Sequence, residues 1–247
     1  MASIALVALL IAGAQSPSVT AGKLADAASH HEAVAEFRAG QELLSAEKFD
    51  EAVARFNKAV ERDPLLSIAH YGLGQAYMNL RRFASAAKGY RDAIEAMRRL
   101  HALQQSNQFE VEKQRDDEIK ELRSMLNGGR GPGGLTAVRL GEHLRDLENQ
   151  RTSMGGAFRP PAELLLALGS ANFRNGEREA AEANWKASLE VNPQYGEAHN
   201  NLAVIYMQTE RFAEAEQEVR LAEKNGFRVN PQFKTDLKDR QKASKAQ

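Results

Sequence analysis

The chain of 247 residues has no cysteine. That excludes a disulfide framework, a thiolate nucleophile and a thiolate metal site. It also suits an oxidising compartment, where a free thiol is a liability. An excess of either charge is missing too, since 33 Lys and Arg balance 33 Asp and Glu. A neutral chain offers phosphate no general attraction, so nucleic acid is not an expected partner. The catalytic signatures HExxH, GxSxG, the P-loop and the Rossmann glycine pattern are all absent. "GGRGPGG" (128–134) lacks the Lys-Ser/Thr ending and the preceding strand of a phosphate loop. His30-His31 alone makes no coordination polyhedron, and the carboxylates of "RDDE" (115–118) spread around a helix axis. The expectation is a chain that is not an enzyme and carries no metal or cofactor.

Long apolar runs are scarce as well. The one that stands out, "IALVALLIAGA" (Ile4–Ala14), has the length of a signal-peptide core and is too short to span a bilayer comfortably. Small residues follow it, although no Lys or Arg precedes it. Residues 1–21 therefore read as a signal peptide removed near Ala14 or Ala21, which puts the product in the periplasm or outside the cell. The alternatives are a buried N-terminal helix and an uncleaved anchor that tethers the chain to a membrane.

What the chain does have is repetition. "AHYGLGQAYMNLRRFASA" (Ala69–Ala86) returns 129 residues later as "AHNNLAVIYMQTERFAEA" (Ala198–Ala215). Apolar residues recur every three or four positions from His31 to about Arg99, with charges between them, as an amphipathic helix requires. A longer period of 34 overlies this one. It relates Gly40 to Gly74, Ala52 to Ala86, Phe56 to Tyr90, Leu168 to Leu202 and Ala181 to Ala215. Pro64 and Pro193 each mark a place where one helix must end. Asn175-Gly176 reads as a sharp turn between two helices.

This pattern resembles the tetratricopeptide repeat. Four units match: Ala33–Leu66, Ser67–Leu100, Ala162–Tyr195 and Gly196–Val229. The third departs from the motif, because Phe173 stands one residue late and Ser188 replaces an Ala. The implied fold is all-α, with helical hairpins stacked as an α-solenoid. The expected organisation is an N-terminal pair (33–100), a central helical insertion (101–161), a C-terminal pair (162–229), and a short capping helix with a polar tail (230–247).

Since 129 is not a multiple of 34, the pairs are not one uninterrupted array. The insertion reads as a helical hairpin, with a stripe of Ile119, Leu122 and Leu126 facing Leu140, Leu144 and Leu147 across the glycine-rich loop. A degenerate enlarged repeat and a flexible linker are the alternatives. In the tail, Phe227, Val229 and Phe233 are placed to cover the last repeat. The final Lys-rich residues read as disordered and solvated. His70 and His199 share one repeat position, which points to packing or surface duty and not to catalysis.

The resemblance further implies a concave groove lined by the first helix of each unit. Its candidate lining is Phe37, Gln41, Leu44 and Ser45 in the first unit, and Tyr71, Gln75, Met78 and Asn79 in the second. The third supplies Leu166, Ser170, Phe173 and Arg174, and the fourth Asn200, Asn201, Val204 and Met207. Aromatic and thioether surface beside amides suits a peptide or protein partner. A basic clamp for a C-terminal carboxylate is not reproduced, because Phe37, Tyr71 and Gly72 stand where cations belong. The expected function is an exported scaffold for protein–protein interaction, with two short grooves bridged by one partner. A membrane-tethered assembly factor is the first alternative and an enzyme the second.

Overall fold

The structure, a computed structural model, describes residues 25–127 and 157–245. The signal-peptide reading, the glycine-rich loop and the return arm of the central hairpin lie outside those residues. The described chain is helical, with no strand. The first four helices are α1 (Ala27–Ser45), α2 (Phe49–Arg62), α3 (Ser67–Asn79) and α4 (Phe83–Asn127). They are followed by α5 (Ala162–Arg174), α6 (Arg178–Val191), α7 (Gly196–Gln208), α8 (Phe212–Lys224) and α9 (Pro231–Lys245).

Each repeat is a hairpin closed by the same turn. After the first helix one residue takes the left-handed conformation: Glu47, Arg81 and Glu210, with φ of 59°, 57° and 60°, and Gly176 at 87°. The following amide then reaches back to a helix carbonyl. Lys48 N donates to Leu43 O, Arg82 N to Tyr77 O, Glu177 N to Asn172 O and Arg211 N to Tyr206 O, at 2.8–2.9 Å. These bonds satisfy carbonyls the ending helix would leave orphaned. Only the third unit puts glycine at the left-handed site, where it avoids the Cβ penalty.

The links between repeats are also written alike. Asp63 Oδ1 accepts from Leu65 N, Asn192 Oδ1 from Gln194 N, and Asn230 Oδ1 from Gln232 N, at 2.9–3.1 Å. Each Asp or Asn precedes a proline, so the side chain folds the turn while proline stops the previous helix. His70 Nε2 donates to Pro64 O at 3.0 Å, and His199 Nε2 to Pro193 O at 3.1 Å. Both histidines are buried, which makes them parts of the turn packing.

In the first three hairpins a glycine notch in the first helix receives a ring from the second. A Cβ built on Gly40 would stand 2.5 Å from the Phe56 ring, and one on Gly169 would stand 2.5 Å from Trp185. Gly74 meets Tyr90 in the same way. The fourth unit carries the pair Ala203 and Val219 at these positions, both buried. Where the notch is filled by a methyl, the plug is smaller.

The described residues up to Ala96 and from Pro161 onward form one compact unit, so the two repeat pairs belong together despite the insertion. It holds two cores, one around Phe56, Val60 and Leu73 and the other around Trp185, Leu202 and Ile205. Val229 and Leu237 close the second core, with Phe227 and Phe233 against it. The second unit, Met97–Pro160, contains the distal part of α4 and the Phe158 ring, 5.8 Å from His101.

Two expectations need correction. The first arm of the insertion is not a separate helix, because α4 runs unbroken for 45 residues from the second repeat. No proline occupies the place of Pro64 there, and no glycine or proline intervenes between Gly89 and Gly128. The Lys-rich tail is helical as far as Lys245, because Phe233 and Leu237 anchor one face of α9.

Candidate peptide-binding cleft

The first helices of the hairpins carry the candidate groove residues. On α1, Phe37, Gln41 and Leu44 are half-buried, and the Phe37 ring lies 5.8 Å from Phe56. On α3, Tyr71 is half-buried against Tyr90, with ring centroids 5.4 Å apart. Desolvation pushes the Tyr71 phenol pKa up, Glu163 adds to the rise, and Gln75 partly opposes it. Asn79 is exposed, and its amide donates to Gln75 O at 3.0 Å. Asn200, Asn201, Val204 and Met207 are all half-buried on α7.

Leu166 differs from the groove expectation. It is only 6% exposed and belongs to the C-terminal core. Its carbonyl accepts from Trp185 Nε1 at 3.2 Å and from Ser170 Oγ at 3.0 Å. Repeat position alone places it beside Tyr71 in the pattern, but its aliphatic side chain is taken up by packing.

Six candidates meet in one cleft of about 370 Å³: Met78, Ser170, Phe173, Arg174, Asn201 and Val204. Trp185 and Glu197 complete the lining. The cleft thus draws on the second, third and fourth repeats, and the expectation of two separate short grooves gives way to a shared one. Phe37, Gln41, Leu44, Tyr71, Gln75, Asn79, Asn200 and Met207 lie outside it. Trp185 and Glu197 are not among the residues the repeat pattern singles out for the groove. The indole fills the Gly169 notch and also faces the cleft. Its ring stands 5.6 Å from Phe173, so the two form one aromatic wall.

The polar side of the cleft is open for work. Among the described residues, no hydrogen bond engages the Asn201 carboxamide, and neither Arg174 nor Glu197 has an ion-pair partner. Both charged residues are exposed at the rim. The carboxamide supplies donors and an acceptor, as a peptide backbone requires.

A separate polar cluster ties the third repeat to the fourth. Arg211 grips Glu182 with two bonds of 3.1 and 2.5 Å and lies 4.2 Å from the Tyr206 ring centroid. Lys186 also reaches Glu182, at 2.7 Å. The Arg211 bond, helped by Lys186, holds the Glu182 carboxyl down to about 2. The repeat pattern does not mark this cluster, because Arg211 in the α7–α8 turn reaches Glu182 on α6.

Among the described residues, no group of three or more His, Asp or Glu side chains is placed to hold a metal ion. No helix there is long and apolar enough to cross a membrane.

The model of the tetratricopeptide repeat matches residues 37–102 and 166–226, just over half the chain. The chain belongs to the tetratricopeptide repeat family. No curated protein matches it. Several solved structures are similar in fold. PilW, a type IV pilus biogenesis factor, is 17% identical over 81% of this chain and 80% of its own, with a TM-score of 0.37. PilF of Pseudomonas aeruginosa is 16% identical over 88% and 90%, at 0.36. TTC0263, a tetratricopeptide repeat protein of Thermus thermophilus, is 19% identical over 84% and 98%, at 0.35.

Proposed function

We propose that the chain is an exported, non-catalytic scaffold that holds an extended segment of a protein partner in the cleft between its second, third and fourth repeats. One observation carries this reading. Met78, Phe173 and Val204 present apolar surface beside the unengaged carboxamide of Asn201, in a cleft of about 370 Å³. Apolar walls reward side-chain burial, and a convergent amide sets the register of a backbone. Family membership adds the fold on which such grooves are built.

Export is proposed from the Ile4–Ala14 run and from the lack of cysteine. The periplasm or the extracellular space is then the working compartment, and an uncleaved start is the tethered alternative. Intact-mass analysis of the exported product separates the two.

The binding test compares partners retained from envelope extract by the wild-type chain and by Val204→Glu. Val204 is half-buried and lines the cleft, so the variant is expected to fold with its charge placed in the cleft. Partners seated in the cleft are lost by the variant at unchanged circular dichroism. Equal retention would move the binding surface elsewhere.

A further inference from the structure

The rim charges define what kind of segment the cleft takes, and this inference rests on the groove reading above. Arg174 ends α5, and Glu197 lies in the first turn of α7. Equivalent helices of stacked hairpins run in the same direction. Arg174 matches Gln208 at the end of α7, eleven positions beyond Glu197, so at 1.5 Å per residue the two charges are offset by about 16 Å along the common helix direction. An extended chain covers that span with about five residues. Phe173, Val204 and Asn201 line the same cleft as the two charges.

Arg174 and Glu197 are the charged members of the cleft lining, and neither is neutralised by another described residue. A segment that buries an apolar side chain while bringing two like charges would oppose one end. We propose that the cleft selects a five-residue extended segment with a bulky apolar residue at its centre, an acidic residue toward Arg174 and a basic residue toward Glu197. The central side chain enters between Met78, Phe173 and Val204, and the backbone crosses Asn201. Charge complementarity of this kind contributes mostly to selectivity, because rim pairs stay in contact with water.

The chain supplies its own reporter. Trp185 is its single tryptophan and lines the cleft. Three end-blocked peptides are titrated against the full chain at low salt while tryptophan emission is followed: Asp-Ala-Leu-Ala-Lys, Asp-Ala-Leu-Ala-Asp and Lys-Ala-Leu-Ala-Lys. The mixed-charge peptide is expected to bind most tightly, by about two- to fivefold for each matched charge. Arg174→Glu should shift the preference to the doubly basic peptide, and Glu197→Lys to the doubly acidic one. Both side chains are exposed, so neither change burdens the core.

Unchanged peptide ranking in both variants would overturn the charge assignment. So would an emission that no peptide moves at the highest soluble concentration. Either result leaves the groove reading standing if Val204→Glu still loses its envelope partners. Retention of those partners by Val204→Glu is the outcome that removes the groove reading itself.

Discussion

A single missing methyl organises three of the four hairpins. Gly40, Gly74 and Gly169 admit a ring, and the fourth unit replaces the pair by Ala203 and Val219. Gly169→Ala improves helix propensity by about 1 kcal/mol. Its new Cβ would nevertheless stand 2.5 Å from a buried indole that is bonded to Leu166. Overpacking of that kind costs about 1–3 kcal/mol. Urea unfolding followed by circular dichroism should show a net loss for Gly169→Ala. Adding Trp185→Val should cost less in the Gly169→Ala background than in wild type, a favourable coupling between the two sites.

His70 gives a second prediction at this scale. Its Nδ1 is buried without a partner, whereas Nδ1 of His199 lies 2.5 Å from Glu218 Oε2. Burial pushes the His70 pKa below its ordinary 6.5, against the bond to Pro64 and the charges of Asp92 and Asp63. The unfolded chain therefore takes up this proton more readily than the folded one. The stability contribution is complete above pH 6.5 and falls as acid titrates the unfolded histidine. Lowering the pH from about 7 to about 5 should reduce the urea midpoint of wild type more than that of His70→Gln, whose amide can still donate to Pro64 O. Equal reductions would remove His70 as the source.

At the scale of elements, periodicity made most of the hairpin architecture legible. Every repeat helix is announced by its small and large residues, and each Asp-Pro or Asn-Pro link by its turn chemistry. What stayed hidden has physical causes. The missing breaker after Leu100 lets α4 continue, yet the repeat period invites a boundary there. Left-handed Glu47, Arg81 and Glu210 carry no glycine to signal them. The Glu182–Arg211 pair joins residues on α6 and the α7–α8 turn, so no local pattern contains it.

The last helix shows how a solenoid end is closed. "VNPQF" (229–233) repeats the "VNPQY" (191–195) that precedes α7, but α9 starts inside the motif at Pro231, whereas α7 starts after it at Gly196. The α9 helix brings Leu237, 3% exposed, onto the terminal core, while Lys238 points to solvent. Leu237→Ala should lose about 2 kcal/mol in chemical denaturation, at the low end for a core Leu because the site is peripheral. Lys238→Ala should change little. Matching losses would mean that α9 is not held by its apolar face.

For the whole molecule, an insertion can lengthen the chain between two repeats without separating them in space. Loop closure costs rise only slowly with length, so the pairs can still meet and share a surface. The sequence pattern places each pair and each groove helix. It does not reveal that Met78, before the insertion, lines the same cleft as Val204, which lies far beyond it. Six of the candidate residues meet there because they face one another across repeats, which a list of periodic positions does not encode. The lack of native cysteine makes this meeting directly measurable. In a Met78→Cys, Val204→Cys double variant, a short bis-maleimide should link the two positions within one chain. A Met78→Cys, Lys238→Cys control under the same conditions should stay unlinked. Absence of a cross-link between positions 78 and 204, with both thiols still reactive toward a monofunctional maleimide, would contradict the shared cleft.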